Sequence, residues 1–126
     1  MNILLAEDDP NISTIAKMAL EQLGGHNVIH VDNGEEALNL ALNPPHHFDV
    51  ILLDEMMPGL NGIAVCQQYK EQSENHSPVI FLSAKSQASD VREFRDLGEG
   101  FIPKPFDPTT LNQAIAEVLE KEEQAS

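Results

Sequence analysis

Five short apolar runs punctuate the chain: "NILLA" (2–6), "NVIHV" (27–31), "DVILLD" (49–54), "PVIFLS" (78–83) and "GFIPK" (100–104). Apolar runs of this length, without alternation, mark strands buried on both faces, as in a parallel sheet. Helical spacing fills the intervals. Asp9 reads as an N-cap with Pro10 at the first helical position. Ile12, Ile15, Ala16, Ala19, Leu20 and Leu23 then share one face, and Gly24-Gly25 ends it. Leu38, Ala41 and Leu42 mark a second helix, closed by "NPP" at 43–45. Ile63, Cys66 and Gln67 mark a weaker third, and Val91, Phe94 and Leu97 a fourth. Asp107-Pro108 restarts the pattern, and Leu111, Ile115, Val118 and Leu119 mark a last helix. Strand and helix alternate five times, which predicts an α/β fold with a doubly wound parallel sheet, because parallel strands need crossovers and helices supply them on both faces. Periodicity leaves the strand order open.

In such a sheet the chemistry collects at the carboxyl ends of the strands. Here those ends carry Glu7, Asp8 and Asp9 after strand one, Asp54 after strand three, Ser83 after strand four and Lys104 after strand five. A dinucleotide or P-loop site is excluded, because it needs glycines and bare amide donors after strand one, and carboxylates repel phosphate. Two carboxylates about 4 Å apart repel by ~4 kcal/mol at an effective dielectric near 20. Such a group is spread into solvent or neutralised by a cation, and hard oxygen ligands select Mg²⁺ or Ca²⁺. Asp9 fits its N-cap role better than a ligand role, whereas Asp8 and Asp54 follow apolar strands directly and read as the two halves of a divalent-cation site. Lys104, between two prolines in "IPKPF", is either a solvated loop lysine or a cation aimed at the acids. Prolines on both sides place its strand at a sheet edge and make Lys104-Pro105 a candidate cis bond. A lysine, a hydroxyl and a metal facing one carboxylate suit phosphoryl transfer, with an aspartate as the nucleophile.

Charge narrows the choice of partners. Seven Lys and Arg stand against 21 Asp and Glu, a net charge of -14, and the basic residues form no dense stripe. That argues against nucleic acid and anionic membrane as partners. No run reaches the roughly 20 apolar residues of a membrane span, and no basic-then-apolar signal peptide opens the chain. A cytoplasmic location is the expectation. The lone Cys66 excludes an internal disulfide and reads as a small apolar helix residue. His46-His47 are adjacent in a loop, poorly spaced for chelation without a third ligand. The length of 126 residues fits one domain over 1–122, with 123–126 as a C-terminal tail.

Four stretches, "LLAEDDP", "ILLDEMMPGLNG", "VIFLSA" and "GFIPKPFDPTTL", lie in an order and at spacings that resemble the receiver domain of bacterial two-component response regulators, of the chemotaxis type, over nearly the whole chain. The resemblance implies a flavodoxin-like (βα)5 fold with strand order 2-1-3-4-5. It implies Asp54 as phosphoacceptor, and Mg²⁺ (with Mn²⁺ as a substitute) held by Asp8, Asp54 and the backbone carbonyl of Met56, with Glu7 acting through water. Met57, Pro58 and Gly62 match the loop motif that follows. Ser83 matches the hydroxyl that bonds the phosphoryl group, Lys104 its cationic partner, and Phe101 the aromatic switch. Met56 and Lys85 fall at positions beside the hydrolytic water. Neither carries an acceptor suited to fixing that water, so a long-lived phosphorylated state is expected. Leu97-Gly98-Glu99-Gly100-Phe101 is about one residue shorter than the family spacing, next to the fourth helix and fifth strand.

The function so implied is a stand-alone receiver. It takes a phosphoryl group from a histidine kinase or histidine phosphotransfer protein, then changes the affinity of its fourth-helix, fifth-strand and fifth-helix face for an output protein. It is no enzyme beyond catalysing its own phosphorylation and dephosphorylation. Other readings are a receiver fragment of a larger regulator such as a transcription factor, a metal-dependent phosphatase, for which the chain leaves little room for a cap, and a small flavodoxin, whose flavin phosphate the acidic turn would repel.

Overall fold

All five apolar runs form strands: β1 Asn2–Ala6, β2 Asn27–Val31, β3 Val50–Asp54, β4 Val79–Ser83 and β5 Gly100–Pro103. They make one parallel sheet in the order β2-β1-β3-β4-β5, so β5 is an edge, as its prolines predict. The Lys104-Pro105 bond is cis. The computed structural model describes residues 1–84 and 88–125, with side chains over 1–84 and 91–121. The crossovers are α1 Pro10–Met18, α2 Gly34–Leu42, α3 Gly62–Gln72, α4 Ala88–Leu97 and α5 Leu111–Ala125. Strands β3 and β4 are buried along their whole length. The alternation of strand side chains feeds two cores. One joins Leu4, Ile51, Leu53 and Phe81 to α2, α3 and α4, and the other joins Ile3, Leu5, Leu52 and Leu82 to α1 and α5.

Helix α1 departs from its predicted face. Asp9 caps it as expected, accepting from the amides of Asn11 and Ile12. Past Met18, however, the chain loosens into a π-helical turn over Ala19–Leu23, closed by Gly24 N donating to Ala19 O. The wider turn rotates the last apolar position outward, and Leu23 is 64% exposed. Ile15 is exposed as well, and the buried face is Ser13, Ala16, Ala19 and Leu20. Three of these four are small, which lets α1 lie close on the sheet. In α3 the predicted Gln67 is exposed, and Val65 and Tyr69 join Cys66 in the core. Helix α5 begins at Leu111, because Asp107 first closes a turn in which Thr109 N and Oγ1 donate to its carboxylate and Thr110 N to its carbonyl.

The short connection between α4 and β5 is closed tightly. Glu99 N donates to Val79 O at 2.8 Å, while the Glu99 carboxylate accepts from Val79 N and pairs with Lys70 at 3.0 Å. A Cβ on Gly98 would stand 2.8 Å from Val79 O and 2.9 Å from the Phe81 ring, so glycine is what allows the chain to pass so near β4. Two aromatic contacts continue outward: Phe81 packs on Phe94 (centroids 5.0 Å apart), and Phe94 stacks on Phe101 (5.8 Å).

Candidate functional site

Parallel pairing brings the ends of β1, β3 and β5 to one rim, and with them Glu7, Asp54 and Lys104. Asp54 is the last residue of β3 and Glu7 the first after β1; both are buried. Lys104 follows the edge strand, its amide donating to Ser83 O at 2.8 Å. Its Nζ turns inward and donates to Glu7 Oε1 at 3.0 Å and Asp54 Oδ1 at 2.9 Å. Lys104 is therefore not a solvated loop residue. The other oxygen of Glu7 accepts from Asp9 N at 3.1 Å, so the turn after β1 folds back on its own first carboxylate. His30 Nε2 lies 2.8 Å from Glu7 O and donates to it, since a carbonyl can only accept. Asp8 stays exposed at the mouth, beside an open groove of about 370 Å³ that it lines with Met56, Met57, Gly59 and Asn61.

Among the described residues, one cation thus faces three carboxyl groups. Oxygens of Glu7, Asp8 and Asp54 lie within 4.8 Å of one another, the one group among the described residues whose spacing could hold a metal ion. All three donors are hard oxygens, so the set fits a small divalent ion better than a soft metal. The electrostatics carry the mark of the imbalance. Burial pushes the Asp54 carboxyl above its usual range, with Glu7 adding to the rise and Lys104 only partly opposing it. Burial and Asp54 likewise raise Asp8. Burial alone would lower Lys104, but its bonds to Asp54 and Glu7 outweigh that and hold its proton more tightly than in water.

Ser83 ends β4 beside this group, almost fully buried, and its hydroxyl donates to Glu55 Oε2 at 3.0 Å. Glu55, also buried, has no counterpart among the residues that sequence reasoning picked out. It reads as one more acid in "LLDEMMPG", and only the neighbouring strand shows that its side chain turns in.

The arrangement of acids, lysine and hydroxyl on this sheet order has known relatives. The family described as the response regulator receiver domain matches residues 3–116. The chain belongs to that family. It is 37% identical over 125 residues to the probable transcriptional regulator ycf27 of Porphyridium aerugineum, covering 98% of this chain and 50% of that protein. Among solved structures it is similar to the chemotaxis protein CheY4 of Vibrio cholerae (TM-score 0.82, 28% identity, 93% of this chain and 97% of that one). It is equally similar to the receiver domain of the sensor histidine kinase PA1611 of Pseudomonas aeruginosa (TM-score 0.81, 29% identity, 94% and 97%), whose structure has a magnesium ion in the active-site cleft. The chain spans about half the length of the curated relatives it matches.

The remaining expected positions of the receiver domain fall around this site to different degrees. Phe101 is half-buried on β5, stacked on Phe94. The Met56 side chain is 68% exposed at the mouth, away from the core. Lys85 lies outside the described residues. His46 and His47 are exposed in their loop, apart from the acidic cluster. Cys66 is buried, its thiol bonded to Leu97 O at 3.3 Å and pushed by burial up to about 11. That matches a packing role and no reactive one. Among the described residues no helix is long and apolar enough to cross a membrane.

Proposed function

We propose that Asp54 accepts a phosphoryl group from a histidine kinase or histidine phosphotransfer protein, and that the domain relays the change to an output protein. The observation that carries this is Lys104 Nζ, held 2.9 Å from Asp54 Oδ1 and 3.0 Å from Glu7 Oε1 inside a cluster of three carboxyl groups. A carboxylate oxygen of Asp54 attacks phosphorus; the bond from phosphorus to the donor's imidazole breaks as the acyl phosphate bond forms. Mg²⁺, with Mn²⁺ as a substitute, is the ion this oxygen set would take, through Asp8, Asp54 and the Met56 carbonyl with Glu7 through water, and when bound it offsets charge on the phosphoryl oxygens.

Lys104 supplies the permanent part of that compensation. Once Asp54 is phosphorylated, the phosphoryl group brings about -1.5 to -2 charge, and the ammonium moves its bond from the carboxylate to a phosphoryl oxygen. Ser83 donates its hydroxyl to another, and Phe101 turns inward into the space that opens. The readout is the α4–β5–α5 face, where an open groove of about 470 Å³ is lined by Arg95, Phe101, Glu117, Val118 and Lys121 among others. Met56, with only a weak sulfur acceptor, and Lys85, with none, are poorly suited to orient a hydrolytic water, so the phosphorylated state is long-lived. The domain turns over no substrate beyond its own phosphorylation and dephosphorylation, acts in the cytoplasm and contacts no nucleic acid directly. A second reading draws on the half-length match to its relatives: the domain is the receiver part of a larger regulator such as a transcription factor. The genomic reading frame beyond Ser126 decides between the two.

The test is treatment with acetyl phosphate and Mg²⁺ followed by peptide mass spectrometry. The phosphate should map to Asp54, and Asp54→Asn should stay unmodified. Phosphate on another residue would sink the proposal.

A further inference from the structure

Glu55 accepts the hydroxyl that ends β4. Its backbone is pinned on two sides: Glu55 N donates to Leu82 O at 3.1 Å, and Glu55 O accepts from Gly62 N at 2.9 Å. Helix α3 presses on the same peptide, since a Cβ on Gly62 would meet Asp54 O at 2.4 Å and Glu55 Cα at 3.2 Å. The side chain is therefore aimed by a fixed backbone, and it is only 7% exposed. Its Oε2 takes the Ser83 hydroxyl at 3.0 Å, with Ser83 1% exposed. Ser83 is held from the far side too, because its carbonyl accepts from Lys104 N. A hydrogen bond to a carboxylate is about twice as strong as a neutral one, and both partners are buried.

We propose that Glu55 is a positioning residue that holds the Ser83 hydroxyl in the unphosphorylated protein and thereby biases the switch toward its inactive arrangement. The inference rests on the reading of Asp54 as phosphoacceptor and Ser83 as the phosphoryl partner. One hydroxyl proton serves one strong acceptor at a time. To donate to a phosphoryl oxygen, Ser83 must leave Glu55, and the free energy of that bond is subtracted from the drive to switch. Anything that favours the freed hydroxyl is then a ligand with differential affinity for two states.

The test uses beryllofluoride, a phosphoryl mimic, titrated at saturating Mg²⁺ into the wild type, Glu55→Gln, Glu55→Met, Ser83→Ala and the Glu55→Met/Ser83→Ala double variant. Binding is followed by the backbone amide shifts of Ser83 and Phe101, or of Phe101 alone where Ser83 is replaced. Glu55→Met should bind about tenfold tighter than wild type, the low end of what a bond to a charged group contributes. Glu55→Gln keeps an acceptor oxygen without the charge, so it should gain about threefold. With Ser83 already removed, the Glu55→Met gain should shrink to less than about twofold, because the bond it would break is gone. A gain of equal size with and without Ser83 would mean that Glu55 acts by charge or packing alone and would overturn the proposal, as would unchanged affinity in both Glu55 variants. Failure of all five proteins to bind would bring down the reading of Asp54 itself, and this inference with it. Glu55→Gln is nearly isosteric, so the comparison survives if Glu55→Met folds poorly.

Discussion

Both ends of the sheet carry bonded polar side chains, and the two ends use them differently. At the amino end the side chains bond mainly to the backbone, although Glu99 also pairs with Lys70. Asp49 Oδ2 accepts from Asn2 N at 2.7 Å, Tyr69 Oη accepts from Ser77 N at 2.7 Å, Ser77 Oγ donates to Phe48 O at 2.7 Å, and Glu99 accepts from Val79 N. Each tie satisfies a backbone group at or next to a strand end, and the buried ones, at Ser77 N and Phe48 O, would otherwise be stranded. At the carboxyl end the side chains bond mainly to one another: Lys104 to Glu7 and Asp54, and Ser83 to Glu55. A side chain that satisfies backbone cannot let go without loosening the fold. A side chain held by another side chain can exchange its partner for a ligand. The amino end thus ties the fold together, while the carboxyl end, with one lysine against three carboxyl groups among the described residues, holds partners that can be exchanged.

The sharpest way to break this contrast is at the cation cluster. Asp8→Ala should abolish Mg²⁺ binding in a titration at millimolar metal, since it removes an oxygen from the cluster. Asp9→Ala should leave binding nearly intact and cost only ~1 kcal/mol as a lost N-cap. Equal damage from both would show that the neighbouring acid had been assigned the wrong role. Next in size is the amino end. Glu99→Ala strands Val79 N and should lower unfolding free energy by about 1–3 kcal/mol, while acetyl phosphate labelling of Asp54 stays at the wild-type level. A lost label with unchanged stability would reverse the roles of the two ends.

A third test turns on pH. Because the Asp54 carboxyl is raised in the folded state, the native protein holds that proton more tightly than the unfolded chain does. Ionising it weakens the fold, so stability from this group falls as pH rises from 3.8 through the folded value. Without divalent cation, Asp54→Asn should therefore be more stable than wild type at pH 7, and the gap should close as pH falls toward 3.8. Urea denaturation in chelator across this range checks it; a variant that is less stable at pH 7 would show that Lys104 more than compensates the charge. The smallest effect belongs to His26, whose Nδ1 lies 3.1 Å from the N-terminal ammonium. Burial, then that ammonium, hold its pKa below 6.5. Its contribution is fully present above pH 6.5 and lost as pH falls through the lowered value. His26→Gln should remove this dependence, a change of about 0.5 kcal/mol or less, with no effect on labelling.

Much of this was legible along the chain, for identifiable reasons. Strand positions are local: β1, β2, β3, β4 and β5 fall within a residue of the five apolar runs, because a strand buried on both faces has no polar positions to confuse the pattern. Asp9 and Pro10 announced their cap, since the groups they satisfy are two and three residues away. Helix faces were less legible. Ile15 and Leu23 belong to a regular 3.6-residue stripe, but Ile15 lies off the face that packs on the sheet, and Leu23 falls in a stretch that is not regular past Met18. Its π turn depends on a partner 93 residues distant, as Asn112 Nδ2 donates to the same Ala19 carbonyl that Gly24 N reaches. Glu55 escaped notice for a related reason: beside Asp54 in sequence, it gains meaning only from Ser83 on the next strand.

By itself, then, the sequence determined the alternation of strands and helices and the set of charged residues at the strand ends. Both follow from periodicity and turn chemistry acting over a few residues. Only the tertiary structure decided which of those charges would meet. Lys104 reaches Glu7 across 97 positions and Asp54 across 50, and Ser83 reaches Glu55 across 28. Such contacts depend on strand order and register, which place side chains within 3 Å or not at all, and no local preference of a residue encodes the neighbour that another strand will bring.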